Sequence, residues 1–315
     1  MPALLAPALF VLMWSTGWVV AKLATPHAGP LTFLTLRYAA ALMLLAPVAL
    51  LSGARWPRGS AQWGGALVNG MMLHGLYLGG VWWAIAHGVP AGVSALIAAL
   101  QPLLTVVVAG PLLGERLSGR RWLGVGLGFL GVAAVVAPKL AATDGLQPAL
   151  LPLGVNVLAM VAVAAATLHQ KRSLGGQDLR ALAALQYAGA IVLTAPAAWL
   201  AEDLRVDWTP SAIFALAWSV LVLSIGAILL MLAMIKRGDV SRVATLIFLV
   251  PPVAALEAFL LFGETLSAVQ LFGMALAAVG VVLANANGAP ASAEGCIAAA
   301  ARDDEDAAEP LRRPA

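Results

Sequence analysis

Glu257 stands in LVPPVAALEAFLLF with no other charge within the stretch. A carboxylate buried that deep among apolar residues is costly and marks a functional site with a partner to be found. The chemistry it suggests is proton transfer, with Arg37, His74 or a cationic substrate group as partner. His74 and Tyr77, in MMLHGLYLGG, are three residues apart and share a helical face, with Asn69 and Gly70 one turn before them. A histidine titrates near working pH, so His74 is a candidate both for substrate binding and for proton relay. Gln101 precedes Pro102, and Pro251-Pro252 precede Glu257. A proline inside a helix removes a donor and bends the chain, which leaves carbonyls near Ala98, Ile247 and Phe248 in search of partners or a wet cavity. Trp14-Ser15 and Trp218 fall near the middle of apolar runs, where aromatic walls with a few polar groups suit a small amphipathic ligand. The expected cavity wall is therefore Trp14, Ser15, His74, Tyr77, Gln101 and Trp218. Pro102, Pro251 and Pro252 are expected to be its helix breaks, and Glu257 and His74 the candidates for proton coupling.

The elements that position these residues follow from composition. Apolar residues make up 62% of the 315 and charged residues 10%, against roughly 45–50% and 25% in soluble domains. Runs of about 20 apolar residues, each enough to cross a bilayer as a helix, predict ten spans: 4–22, 31–52, 63–86, 90–112, 120–138, 150–170, 179–200, 209–235, 240–262 and 267–286. The runs are too long for barrel strands and lack two-residue alternation. The expected partner is thus a lipid bilayer, and the basic balance of the loops implies nothing about nucleic acid. The one cysteine, Cys296, excludes an intrachain disulfide. No Gly-Lys-Ser phosphate loop, zinc-spaced histidine set or Ser-His-acid set is present, so no cofactor, metal or catalytic residue is expected.

LLGERLSGRRWLGV at Leu112 returns as LFGETLSAVQLFGM at Leu261. The offset between Glu115 and Glu264, 149 residues, also superposes Lys22 on Lys171, Tyr38 on Tyr187, Pro47 on Pro196, Pro102 on Pro251 and Gly131 on Gly280. The chain is a tandem duplication. Five spans per copy is odd, so the second copy enters the membrane inverted. With the N-terminus in the cytoplasm, eleven Lys and Arg fall on inside loops and three (Lys22, Lys139, Arg205) outside, which is the bias that fixes orientation. The repeated motif keeps Arg116, Arg120 and Arg121 inside and carries Thr265, Val269 and Gln270 outside. Repeat one is placed at 1–138, a linker at 139–148, repeat two at 149–287, and an acidic, disordered cytoplasmic tail at 288–315.

These features resemble the EamA-type family of the drug/metabolite transporter superfamily. The likeness rests on Pro102, Gly114-Glu115 and the glycines from Gly124 to Gly131, on Pro251-Pro252, Gly263-Glu264 and Gly273 to Gly280, and on Trp14-Ser15-Thr16-Gly17. It implies an all-α integral membrane fold of ten transmembrane helices in two inverted five-helix repeats. The second copy has Val163 where the first has Trp14, so the site is expected to be asymmetric. The resemblance implies a secondary transporter in a bacterial plasma (inner) membrane, not an enzyme. It would export a small-molecule substrate, an amino acid, related metabolite or drug-like compound, by alternating access, as a monomer or homodimer. Proton coupling and facilitated diffusion both stay open, as do a passive channel and a membrane enzyme acting on lipid-linked substrates.

Other residues carry structural expectations. Gly114, Glu115, Gly263 and Glu264 are read as fold markers, each glutamate facing the positive end of the last helix of its repeat. Arg37 could attract an anionic carboxylate or phosphate, but such an arginine is more often expected to snorkel to headgroups, and Lys22 and Lys171 are expected to sit at span ends. Trp63, Trp82, Trp83, Trp122, Trp199 and Trp208 form interfacial belts. The stretch GVGLGFLG is expected to pack closely against another helix, with a dimer surface as one setting for that contact.

Overall fold

A computed structural model describes residues 5–113, 118–141, 147–227, 230 and 249–285. Gly114, Glu115, the stretch holding Lys236, Arg237 and Arg242, the carbonyls of Ile247 and Phe248, and the expected 288–315 tail lie outside the described residues. Within them the chain is helical almost throughout, in ten stretches: α1 (Leu5–Ala24), α2 (Pro30–Leu51), α3 (60–86), α4 (91–113), α5 (Gly119–Ala141), α6 (Gln147–Ser173), α7 (Leu179–Ala201), α8 (210–226), α9 (Val250–Phe262) and α10 (Ala268–Asn285). Five of the helices are long and apolar enough to cross a membrane, and α1, α8, α9 and α10 add shorter apolar helices. Helix occupies part of the expected 139–148 linker, since α5 runs to Ala141 and α6 starts at Gln147.

The two copies interleave. Helix α5 packs on α10, α2 on α7, α1 on α9, and α6 on α3 and α4. The glycine stripe of α5 explains the first contact: a Cβ on Gly124 would lie 2.4 Å from the Ala284 nitrogen, and one on Gly131 would lie 2.4 Å from the Ala277 nitrogen. Gly273 and Gly280 on α10 meet the α5 backbone in the same way. Close approach of two backbones needs residues without side chains. Gly124, Gly131, Gly273 and Gly280 are thus occupied inside one chain and not at a dimer surface.

Carboxylates join the copies at the face where α1 ends. Glu264, in the α9–α10 turn, accepts from the backbone N–H groups of Ala91 (3.2 Å) and Gly92 (2.9 Å), which open α4, and pairs with Lys22 of α1. Its anion therefore meets the positive end of α4, not of α10 as the sequence suggested. Lys22 also lies over the Phe262 ring, 4.7 Å from its centroid. Glu202, past the end of α7, caps α2 by accepting from the N–H groups of Leu31 and Thr32 and from the Thr32 hydroxyl. A backbone bridge between Ala28 and Val206 lies beside it. At the other face Arg180 donates to Asp178 (2.7 Å) and to Ser52 at the end of α2 (2.8 Å). Partial burial would raise the Asp178 carboxyl, but the hydrogen bonds from the Arg180 side chain and the Arg55 and Arg180 N–H groups hold it below the usual carboxylate range.

Replacing Glu264 with alanine strips two helix N–H groups and a lysine of their acceptor at once. It should cost about 2–3 kcal/mol, since hydrogen bonds to charged groups contribute roughly 1.5–3 kcal/mol each. Thermal unfolding in detergent followed by tryptophan fluorescence reads this out, and an unchanged midpoint refutes the tie.

Two segments depart from α geometry. Met71–Leu78 in α3 and Trp218–Gly226 in α8 are π-helical, and the 149-residue offset nearly superposes them. A π turn widens the helix and displaces carbonyls from their usual donors. Tyr38 of α2 donates its hydroxyl to the His74 carbonyl at 2.8 Å, and its counterpart Tyr187 of α7 donates to the Ser224 carbonyl at 3.5 Å. The irregularity is thus a property of the duplicated fold, supported by a tyrosine in each copy. In α4 the helix breaks at Ala98-Ala99, between Ile97 and Leu100. Pro102 offers no N–H to the Ala98 carbonyl, and the Gln101 N–H takes it instead at 3.0 Å.

Candidate functional site

Between the copies lies a cavity of about 160 Å³. Trp14, Gly17 and Trp18 form one stripe of α1 on its wall, and Leu73, His74, Tyr77, Leu78, Val81 and Trp82 form a stripe of α3. Helix α7 adds Leu179, Leu182, Ala183, Gln186 and Tyr187, α6 adds Val163 and Gln170, and single residues come from α2 (Arg37), α4 (Gln101) and α8 (Leu223). Each stripe follows i, i+3, i+4 spacing, as one helical face requires. A second chamber of about 90 Å³ shares Trp14, Trp18, Tyr77 and Gln101, and adds Pro102, Pro251 and Pro252 from the bent helices. The four shared residues divide the two spaces.

The lining runs from Trp82, in the α3 half nearer Lys22, to Leu179 at the start of α7, beside Asp178 and Arg180. The face carrying Arg55, Arg58 and Arg180 is the one it reaches. At the opposite face Glu264, Lys22, Glu202 and the Ala28–Val206 bridge join the ends of the helices.

Of the expected wall residues, Trp14, His74, Tyr77 and Gln101 come together here and Ser15 and Trp218 do not. Helical rotation is the reason. Ser15 is a hundred degrees round α1 from Trp14, where its hydroxyl donates to Glu257 Oε1 of α9 at 2.7 Å and it is fully buried. Thr16 is a further step round and accepts the Trp218 indole N–H at 2.9 Å, which fastens α8 to α1 away from the cavity. The partner of Glu257 is accordingly Ser15, in place of Arg37 or His74. Its second oxygen, Oε2, is buried with no hydrogen-bond partner.

Arg37 is also corrected. It is 7% exposed, on the cavity wall, with Nε donating to the Ser224 hydroxyl of α8 at 3.1 Å. Seven residues into α2 it is too deep to reach headgroups while it holds that bond. Trp82, expected in an interfacial belt, is 1% exposed and tilts against Phe33 with ring centroids 5.4 Å apart. Trp63, Trp122, Trp199 and Trp208 are exposed.

The centre of the wall is aromatic. The His74 ring stacks on Tyr187 at 4.8 Å between centroids, and Tyr187 stacks on Tyr38 at 5.8 Å. His74 Nδ1, Trp18 Nε1 and Gln101 Nε2 are buried without partners. Lower down, Gln170 Oε1 accepts from both Asn69 and Gln186 at 2.9 Å. Trp18, Arg37, Trp82, Gln170, Gln186 and Tyr187 are wall residues that the sequence reading did not select. The i, i+3, i+4 stripe through Trp14 and the Tyr38–Tyr187 correspondence were the signals available for Trp18 and Tyr187. Val163, the counterpart of Trp14, is in the wall as well, so the expected Trp/Val asymmetry falls within it. Among the described residues no group of three His, Cys, Asp or Glu is placed to hold a metal ion.

Comparison with known proteins agrees with this architecture. The model of the EamA-like transporter family matches residues 1–137 and again 152–286. An uncharacterized transporter of Bacillus subtilis, YvbV, is 29% identical over 286 residues, covering 88% of this chain and 90% of that protein. A protein of Escherichia coli named as a probable amino-acid metabolite efflux pump is 25% identical over 87% of this chain and 92% of its own. One of Streptantibioticus cattleyicolor, named as a probable terminal-alkyne amino-acid exporter, is 29% identical over 64% of this chain and 66% of its own. A solved crystal structure aligns with TM-score 0.61 at 18% identity, over 90% of this chain and 96% of that one, a likeness of fold alone.

Proposed function

This chain belongs to the EamA-like transporter family, an integral multi-pass membrane protein and not an enzyme, and from that premise we propose that it exports a small amino-acid metabolite by alternating access. The observation that carries the proposal is the aromatic and polar cavity between two inverted copies, whose lining reaches the start of α7 at the basic face while carboxylates join the helix ends at the other. Lys and Arg excess places the basic face in the cytoplasm. The cavity then faces inward, toward an internal substrate, and both termini are cytoplasmic, in a bacterial inner membrane. The names of the efflux-pump relatives support the direction and the substrate class. The working units are repeats 1–138 and 149–287, joined through 139–148. They rock about the fixed site while bends at Pro102 and Pro251-Pro252 open and close it.

Purified protein in liposomes tests this. Saturable counterflow of amino acids or their derivatives supports a carrier, whereas ohmic current without counterflow makes the chain a channel. Accessible tags decide orientation: a tag in the α9–α10 turn that labels from the same side as the N-terminus overturns the inverted arrangement. Trp14→Ala should weaken substrate binding tenfold or more. Burial of a large aromatic contributes about 1.5–3 kcal/mol, and each 1.4 kcal/mol is a factor of ten. Trp218→Ala, away from the cavity, should leave affinity unchanged. Titration in detergent compares the two.

A further inference from the structure

Arg37 is a buried cation for which the described protein supplies no anion. Two ion pairs are found among the described residues, Lys22–Glu264 and Arg180–Asp178, and both lie at the faces. Glu257 is engaged by Ser15 and is absent from the cavity wall. A guanidinium carries five N–H donors in a rigid fork. One of them, on Nε, is used on Ser224. The Ser224 hydroxyl in turn donates to the Ser219 carbonyl at 2.9 Å, so its lone pairs are turned to Arg37 and the fork is held in place.

The fold itself does not require this charge. The repeat counterpart of Arg37 is Gln186, which settles on Gln170 as a neutral hydrogen bond, and the counterpart of Ser224 is Gly75. An uncompensated cation inside a membrane is costly, and here it is additional to a template that works without it. The rest of the wall is complementary to an anion with an apolar body. Among the described residues no acid lines it, Trp18 and Gln101 each keep a buried nitrogen unpaired, and Trp14, Trp82 and Tyr187 supply apolar surface.

We propose that Arg37 is the anchor for a carboxylate on the transported compound, making the substrates small organic acids, amino acids included, that are held by the carboxylate and bear an apolar side group. This rests on the transport reading above. The guanidinium fork matches a carboxylate bidentately, and a phosphate has the same fit. The one Arg or Lys among the wall's described residues favours the singly charged group, which it neutralises completely. An ammonium on the substrate needs no acid here, because aromatic faces attract cations.

The experiment measures binding directly, by thermal shift of the purified protein in lipid nanodiscs, and transport separately, by counterflow. The probes are the twenty amino acids, the amide of each, and inorganic phosphate. Wild type should bind apolar amino acids and discriminate strongly against their amides. In Arg37→Gln, the residue of the other copy, affinity for the acid should fall on the order of 100-fold, and acid and amide should become equal. Arg37→Lys keeps the charge without the fork, should lose about tenfold, and serves if the glutamine variant does not fold. Equal binding of acid and amide by wild type overturns the proposal, as does stronger binding of phosphate or retained discrimination in Arg37→Gln. Carboxylate-selective binding with no counterflow upholds the anchor and removes the transport reading instead.

Discussion

Gly131→Leu should leave little folded protein in the membrane, while Gly126→Leu, five residues earlier on the same helix, should be tolerated. At Gly131 the first carbon of any side chain falls 2.4 Å from the Ala277 nitrogen and 2.6 Å from the Gly273 carbonyl oxygen, both backbone atoms. Neither can rotate aside, so α5 and α10 must separate. Overpacking a core typically costs about 1–3 kcal/mol when side chains can yield. With two backbones as the obstacle, and the whole glycine contact between the copies lost on separation, the cost should exceed about 3 kcal/mol. That is a large share of the 5–15 kcal/mol that holds most proteins folded. Gly126 has nothing within 4 Å and lies on the exposed side of α5. Fluorescence-detected size exclusion of the two variants tests the contrast. Equal monodisperse yields show that the α5–α10 seam does not hold the copies together.

That seam was legible in the sequence as a stripe of small residues repeating at an offset of 149, but its partner was not. Small residues announce close approach without saying to what, and a second copy of the chain is as good a candidate on paper as α10. The same limit governs the wall. Apolar run length argues where a membrane helix lies, and the duplicated motif with its deleted arginines argues which way each copy enters. Rotation about the helix axis is set by an amphipathic stripe, and a helix apolar on nearly every side has none. Sequence therefore does not tell that Ser15 and Trp218 turn away from the cavity. Arg37 shows a related failure: near a span end, a long basic side chain has both headgroups and cavity in reach, and Ser224, 187 residues away, decides between them. The π turns at Met71–Leu78 and Trp218–Gly226 were invisible for another reason. They depend on hydroxyls arriving from α2 and α7, and local propensity does not encode a donor from another helix. The Tyr38–Tyr187 correspondence is in the sequence, but its role is defined by the carbonyls that the π turns displace.

Glu257→Gln should abolish accumulation driven by a pH gradient and spare exchange. The carboxyl sits between α1 and α9, accepts the Ser15 hydroxyl on Oε1, and leaves Oε2 buried and bare. Its counterpart in the first copy is Val108, opposite Ala164 as counterpart of Ser15, so packing alone needs neither polar group. Both helices border the site: α1 carries Trp14 and Trp18 on the cavity wall, and α9 carries Pro251 and Pro252 in the adjoining chamber. On the proton-coupled reading, a proton arriving at Oε2 would change the charge held in the seam between them and so the separation of α1 and α9 that it favours. That links proton occupancy to the position of the wall, the condition for antiport. One proton exchanged per substrate across a gradient of one pH unit is worth about 1.4 kcal/mol, a tenfold accumulation. Glutamine keeps the shape and the Ser15 hydrogen bond but holds no exchangeable charge, so the ratio should fall to one while counterflow at equal pH continues at a comparable rate. Ser15→Ala, which removes the partner and leaves the carboxyl, should shift the pH dependence of uptake without abolishing the gradient's effect. Tenfold accumulation that survives Glu257→Gln excludes the α1–α9 seam from coupling and leaves His74, with its unpaired Nδ1 against Tyr187, as the remaining candidate on the wall.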